Sequence, residues 1–385
     1  QRIEKTPTDG DSPLPVTVYG ANPNPGTFYV LQSWNGSASA IRLSTVTGNI
    51  PNATWNSASA VFPVGGSPWI DQTGSVAEQL GESRKTATND SRISTGVMIN
   101  GNIWCAHHIG ISPTNVAVQW WQLNGTPGSS FGNILQRGRI GAGIANNYRF
   151  FPGIAVNEFE DVIIGYTFSS NVSRLSSAYS FRSNTTPLNT TDDEYIYKVG
   201  LSTYFKDFGG ERSRWGDYSH SALDPVDASI WTIQEYADQR VGTADADSRY
   251  GVWWAQVTPA STLLQTDATI GAVLEPNSGL LCKVPVVPKI QVRNLGTDTL
   301  KKVDVGMILD GVPLGSLTTF NNLSIATFNS SSVLTLTPSF DVAPGPHTLK
   351  IFTINPNGLA DLRTFNDTTT INFTVAPTLN LPYTE

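Results

Sequence analysis

Two aspartate-rich turns are the first places where this chain could do chemistry. Asp224 and Asp227 share one turn, and Asp238, Asp245 and Asp247 gather around the bend at Gly242. Oxygen-rich loops of this kind suit a hard cation, and calcium is the ion they would hold. Neither follows EF-hand spacing, and the same residues also make ordinary polar turns. His107 and His108 are adjacent. On a strand their rings point to opposite faces, so they cannot share one metal, though either alone could line a channel. Trp120-Trp121 and Trp253-Trp254 are adjacent aromatic pairs. On a strand one ring of each pair faces in and one faces out, and an outward ring could stack on a sugar. Packing is the competing role, because large aromatics dominate cores and interfaces. No Gly-x-Ser-x-Gly elbow and no Ser/His/Asp spacing appears.

These residues sit on short strands. Arg214-Trp215-Gly216-Asp217-Tyr218-Ser219 leads to an Asp224-Pro225-Val226-Asp227 turn. A strand rich in aromatic and β-branched residues, Ile230 to Tyr236, follows it. Similar units begin at Thr27, Thr95 and Phe151, with Asn-Gly or Asp/Asn-rich reversals between their strands. The spacing predicts a β-propeller over residues 1–262, counted as five blades, with four or six allowed by irregular strands hidden in 67–90 and 188–212. Only Val76 to Lys85 has a helix-friendly composition, and it is short. Near Thr258 the texture changes. None of the 10 tryptophans lies beyond Trp254. Period-two strands then recur over 268–376, about the length of an immunoglobulin-like sandwich. Residues 377–385 form a C-terminal extension.

Composition sets outer limits. Charged residues are 14% of the chain, with 34 Gly, 24 Pro and a net charge of -7. The profile is that of a turn-rich all-β secreted protein. It excludes a nucleic-acid binder, which would need a basic face. It excludes disorder too, given 39% hydrophobic residues with 10 Trp, 12 Tyr and 16 Phe. No apolar run reaches transmembrane length. The first residues, Gln1-Arg2-Ile3-Glu4, do not read as a signal peptide, so a secreted protein would be in processed form here. Cys105 and Cys282 fall in different predicted domains. They are expected as free buried thiols, with a bridge across the boundary as the alternative. Eleven Asn-x-Ser/Thr sequons permit N-glycosylation, among them Asn35, Asn52, Asn171, Asn184, Asn189, Asn322 and Asn366.

Two resemblances rest on these motifs. Arg214 to Tyr236, with support from Phe151 to Ser170, resembles the sialidase-like propellers of bacterial secreted proteins. Val292-Arg293-Asn294-Leu295-Gly296, Ile308-Leu309-Asp310-Gly311, Val342 to Leu349 and Asn355-Pro356-Asn357-Gly358 are similar to the bacterial cell-adhesion-related immunoglobulin-like module. The second resemblance covers most of 268–376 and implies an extracellular stalk, spacer or adhesive module. The first implies, for an active enzyme, a Tyr nucleophile assisted by a carboxylate, roles that fall to Tyr218 and Glu235, with Arg214 and Asp217 beside them. The chain departs from that pattern. It has no intact Ser-x-Asp-x-Gly-x-Thr-Trp turn, and its spacing does not place Arg42, Arg92, Arg149, Arg212, Arg214 and Arg240 in one pocket. Arg214 and Asp217 also suit a structural pair at a blade corner.

The reading is therefore a non-catalytic extracellular or cell-surface protein. It would act in adhesion or as a subunit of an extracellular assembly, with glycans or other surface proteins as partners. Self-assembly would run through the terminal strands. The alternative is a sialidase-like glycan hydrolase with a degenerate site.

Overall fold

The computed structural model describes residues 11–20, 22–33, 39–57, 60–61, 63, 68–71, 74–207, 212–216, 219–262, 264–282, 285–361, 363–364 and 366–377. These form strands and short 3-10 turns arranged in seven sheets, and no helix is long and apolar enough to cross a membrane. Backbone contacts divide the chain into two compact units. Unit 1 comprises Gln1–Asp224 and Ala228–Thr258; unit 2 comprises Pro225–Asp227 and Pro259–Glu385.

Unit 1 holds five sheets, all built mainly from antiparallel hairpins. The second sheet carries Thr95–Ile99, Asn102–Ser112, Asn115–Asn124 and Ile134–Ile140. Alternation along its strands sends two sets of side chains to two cores. Ile103, Cys105, Ile109, Trp121 and Leu123 meet Tyr29, Leu31, Ile41 and Leu43 of the first sheet. Trp104, Ala106, Val118 and Trp120 meet Ile154, Val156, Ile164 and Tyr166 of the fourth. The sheet is thus covered on both faces, with His107, His108, Gln119 and Gln122 buried among the apolar side chains. The fourth sheet runs Asn147–Val156, Val162–Ser170, Ser173–Arg182, Glu194–Lys198. The fifth has His220–Leu223, Ile230–Asp238 and Arg249–Val257. The helix-friendly stretch at Val76 is a strand hairpin, Ser75–Gln79 with Glu82–Ala87, reversed at Gly81 with φ +80°. Val76 and Ala77 are buried against Phe150, Leu175 and Trp215, and that packing overrides helix propensity.

Unit 2 is two sheets around one core. One has Ala268–Glu275, Lys289–Asn294 and Leu334–Thr335; the other is led by Val303–Leu309, Gly345–Ile354 and Thr368–Val375. Ile290, Val292, Val303, Val305, Leu349 and Ile351 are essentially inaccessible at its centre. Both cysteines are free. Cys105 is buried, as expected, but Cys282 is exposed.

Unit 2 also buries a set of charges. The Arg363 side chain is 1% exposed; its Nη1 donates to Asp267 Oδ2 at 2.7 Å and its Nη2 to the Thr262 carbonyl at 2.6 Å. Asp361 and Asp367 lie close by and share a side-chain hydrogen bond. Burial, then the charges of Asp361 and Asp267, push the Asp367 carboxyl up to about 7. Burial also pushes Asp267 up to about 6, against the pull of Arg363. The unfolded chain would release these protons near pH 4. The folded unit therefore holds protons that the unfolded chain has lost, and stability present below pH 4 is lost as pH rises through 6 and 7. His347, raised by Asp310, works in the same direction. The melting temperature of unit 2 is expected to fall between pH 5 and pH 8, by roughly 1 kcal/mol of stability per pH unit. Asp367→Asn should flatten that slope. Calorimetry across the range checks it, and a rising or flat profile in the parent protein would refute the buried-proton account.

Candidate functional site

A cavity of ≈ 580 Å³ opens in unit 1 where residues distant in sequence converge. One wall is the segment Arg212 to Gly216. Ser213 bridges to Thr86 in parallel, and its carbonyl accepts the Ala87 N–H at 3.1 Å. That pairing sets Arg212 and Arg214 beside Asn89 and Asp90. Ser213 and Trp215 are buried while Arg212 and Arg214 are exposed, as period two requires. Trp215 anchors the wall: its Nε1–H donates to Thr167 Oγ1 at 3.0 Å, and its ring meets Tyr204 edge-on at 4.8 Å.

The opposite wall comes from a bulge. The strand Asn147–Val156 slips register between Phe150 and Gly153. Phe151 there has φ +51°, a left-handed conformation unusual for a bulky residue. Asn89, also at the cavity, has φ +58°. Bulges and strained residues of this kind cluster at functional sites, where they re-aim side chains. Phe151 packs edge-on against His108 at 5.3 Å, and its N–H points to His108 Nδ1 at 3.4 Å.

His108 is 3% exposed. Burial pushes its pKa down to about 4, an effect that the Asn89 backbone and the Asp90 charge offset only in part. The ring is therefore neutral at pH 7. With Nδ1 accepting from Phe151, the proton is assigned to Nε2. The Asn89 and Thr88 backbones are hydrogen-bond partners of the ring, which sits at the cavity wall. His107, on the other face, is fully engaged: Nδ1 donates to the Ser91 carbonyl at 2.9 Å and Nε2 accepts from Trp121 Nε1 at 3.1 Å.

Three arginines line the cavity, against a single carboxylate among the described lining residues. Asp90 is bound by Arg92 in a fork, Nε to Oδ1 at 2.6 Å and Nη2 to Oδ2 at 2.5 Å. That contact holds Asp90 below its usual range. Arg212 Nη2 donates to Asn89 Oδ1. Among its described lining residues the site is cationic on a chain of net charge -7, and it can fix an anion by charge-assisted hydrogen bonds.

Gly216 closes the site. Its φ is +90°, its N–H donates to Glu235 Oε2 at 3.0 Å, and a Cβ there would fall 2.0 Å from the Phe151 ring. Gly216→Ala should displace Phe151 at a cost of roughly 1–3 kcal/mol. It is expected to lower both the melting temperature and ligand affinity, the latter about tenfold, checked by calorimetry and titration. An alanine variant with parental affinity would sink the role given to Phe151.

The sequence candidates fall in different places. Arg214 is at the cavity, whereas Asp217 and Tyr218 lie outside the described residues. Glu235 is 2% exposed and its carboxylate faces the Gly216 backbone. Trp120 and Trp121 are both 0% exposed, so neither offers a face to a sugar; the outward ring expected of the pair is absent because both faces of their sheet are covered. Trp253 and Trp254 are 45% and 60% exposed. Lys198 Nζ sits 4.0 Å over Trp253, and Trp254 tilts against Trp231 at 5.1 Å.

Of the calcium candidates, Asp245 takes a fork from Arg84 at 2.6 and 2.8 Å, and Asp247 Oδ2 accepts the Ala244 N–H at 2.9 Å. The Asp224 turn is closed by the Ala228 N–H at 3.1 Å, and Asp227 groups with unit 2. Among the described residues no three His, Cys, Asp or Glu side chains gather as metal ligands.

Of the sequons, Asn52, Asn171, Asn184, Asn189 and Asn322 are exposed, and Asn35 lies outside the described residues. Asn366 is buried. Its Nδ2, the atom a glycan would need, donates to the Val226 carbonyl and to Asp267.

In the sequence either histidine could line a channel, and nothing local marks His108, Phe151 or Asn89 as site residues. The alternation of Arg212 and Arg214 with buried neighbours was the one local signal.

No protein-family model matches the chain, and no curated protein matches it in sequence. Its structure is similar to the CARDB domain of a Pyrococcus furiosus protein, solved in complex with di-metal ions. Identity is 19%, covering 29% of this chain and 94% of that domain, with a TM-score of 0.23. The solution structure of the same domain gives 18% identity, 30% and 98% coverage and a TM-score of 0.23. A polysaccharide lyase of family PL25, an ulvan lyase, aligns over 93% of this chain and 86% of its own, at 9% identity and a TM-score of 0.33. Likenesses of this size bear on neither activity nor ligand.

Proposed function

We propose that the chain is a non-catalytic extracellular protein that binds an acidic saccharide in the unit 1 cavity, serving adhesion or an extracellular assembly. The three arginines gathered around the buried, neutral His108 ring carry this reading. The arginines supply fixed positive charge, His108 a neutral polar group, and the Phe151 ring an apolar wall for a sugar face. The second sheet, packed on the first by one face and on the fourth by the other, supports a propeller of about five blades, and the two-sheet core of unit 2 supports an immunoglobulin-like module.

Binding is favoured over hydrolysis by the state of the groups present. Asp90 is tied to Arg92 and held ionised, which unfits it as a general acid. Burial keeps the His108 ring neutral, and its Nδ1 lone pair is taken by the Phe151 N–H.

Titration calorimetry against uronate-bearing, sulfated and neutral oligosaccharides tests the proposal. Acidic ligands should bind, more weakly as salt rises, and neutral ones should not. Equal binding of neutral sugars, or none at all, would overturn it. Release of reducing ends, lost in Tyr218→Phe or Glu235→Gln, would replace it with the hydrolase reading.

A further inference from the structure

Among the described residues, the strand Arg249–Val257 is the outer strand of the fifth sheet and has a strand neighbour on one side only, Ile230–Asp238. It runs nine residues in register with that neighbour without a bulge. Natural edge strands are kept from pairing by shortness, bulges, proline or charges. This one has none of the first three, and its sole charged residue, Arg249, is at its end. Its side chains are exposed on both faces: Tyr250 at 42%, Val252 at 45%, Trp253 at 45% and Trp254 at 60%.

The sequence of the strand is also complementary to itself. Two copies related by a two-fold axis at its middle residue would pair all nine positions. Trp253 then faces Trp253 of the second copy, and Val252 faces Trp254 twice, once on each side of the axis. Aromatic–aromatic and aromatic–β-branched pairs are the favourable cross-strand combinations. The two Arg249 side chains go to opposite ends of the ribbon, each opposite Val257, so no like charges meet.

We infer that this strand pairs antiparallel with its counterpart in a second copy, joining two fifth sheets into one six-stranded sheet. The interface is isologous, as a two-fold dimer requires. It lies apart from the saccharide cavity and does not depend on the binding reading. A joint of one strand pair is smaller than the ~800 Å² per partner of a stable complex, so the dimer is concentration-dependent.

Sedimentation equilibrium of the full chain over a wide concentration range gives the first test: a monomer–dimer equilibrium is expected. Val252→Lys and Trp254→Glu should each weaken it about tenfold, because each puts an unmatched charge into a hydrophobic cross-strand pair. Mixing the two variants sets the introduced lysine of one chain opposite the introduced glutamate of the other and leaves the second Trp–Val pair intact. The mixed dimer should return to within about threefold of the parent. Circular dichroism on each variant confirms folding. A parent that stays monomeric at every concentration overturns the inference. So does a dimer unaffected by either variant, or one that mixing fails to restore.

Discussion

The double variant Arg212→Ala/Arg214→Ala is expected to lose acidic-saccharide binding by a factor of about 100 or more, with a melting temperature close to that of the parent. Charge-assisted hydrogen bonds contribute roughly 1.5–3 kcal/mol each, so two lost contacts remove about 3–6 kcal/mol. The fold should tolerate the change. Both side chains point outward, while the wall is held by buried Ser213 and Trp215 and by the backbone pairing to Thr86 and Ala87. Lysine at both positions keeps the charge but not the planar fork, and should give intermediate affinity with the same salt dependence. His108→Ala should weaken binding less, since it removes one neutral polar group. Titration calorimetry with one uronate-bearing ligand orders all four proteins. If the double alanine variant binds as the parent does, the cavity is not the site.

Arg363→Met is expected to be the most destabilising single change in unit 2. Removing one member of a buried ion pair costs about 3–5 kcal/mol, because the partner charge is left without compensation. Here Asp267, Asp361 and Asp367 would remain with no buried cation among the described residues that pair with them. Against a typical domain stability of about 5–15 kcal/mol, that loss leaves little. Scanning calorimetry should show the unit 2 transition moved down steeply or gone, and proteases should cut between 259 and 377. Arg363→Met/Asp267→Leu, which removes both charges, should recover part of the loss. A single variant that melts with the parent would mean the pair carries no structural weight.

Much of the architecture was legible in the residues. Hairpins at Asn100-Gly101 and Asn157 to Glu160 were written in turn chemistry, and the change of texture near Thr258 matches the point where the second unit's main segment begins. What was hidden is long-range. Nothing local says that Ser213 will pair with Thr86, yet that bridge is what brings Arg212 and Arg214 to Asn89 and His108. The environment of Trp120-Trp121 is hidden for a related reason. Alternation suggests one wet face, yet both faces of this sheet are covered, and the flanking Gln119 and Gln122 are themselves buried. The bulge at Phe151 left only a Phe-Pro-Gly sequence as its trace, and Pro152 is placed there by its carbonyl accepting the Ser94 hydroxyl at 3.0 Å.

The concentration of all 10 tryptophans before residue 255 gives the two units separate optical identities. Emission excited at the indole band reports on unit 1 alone, whereas unit 2 is spectroscopically dark at that wavelength. One sample followed by fluorescence and by far-ultraviolet dichroism therefore resolves which half of the molecule melts first, with no label and no truncation.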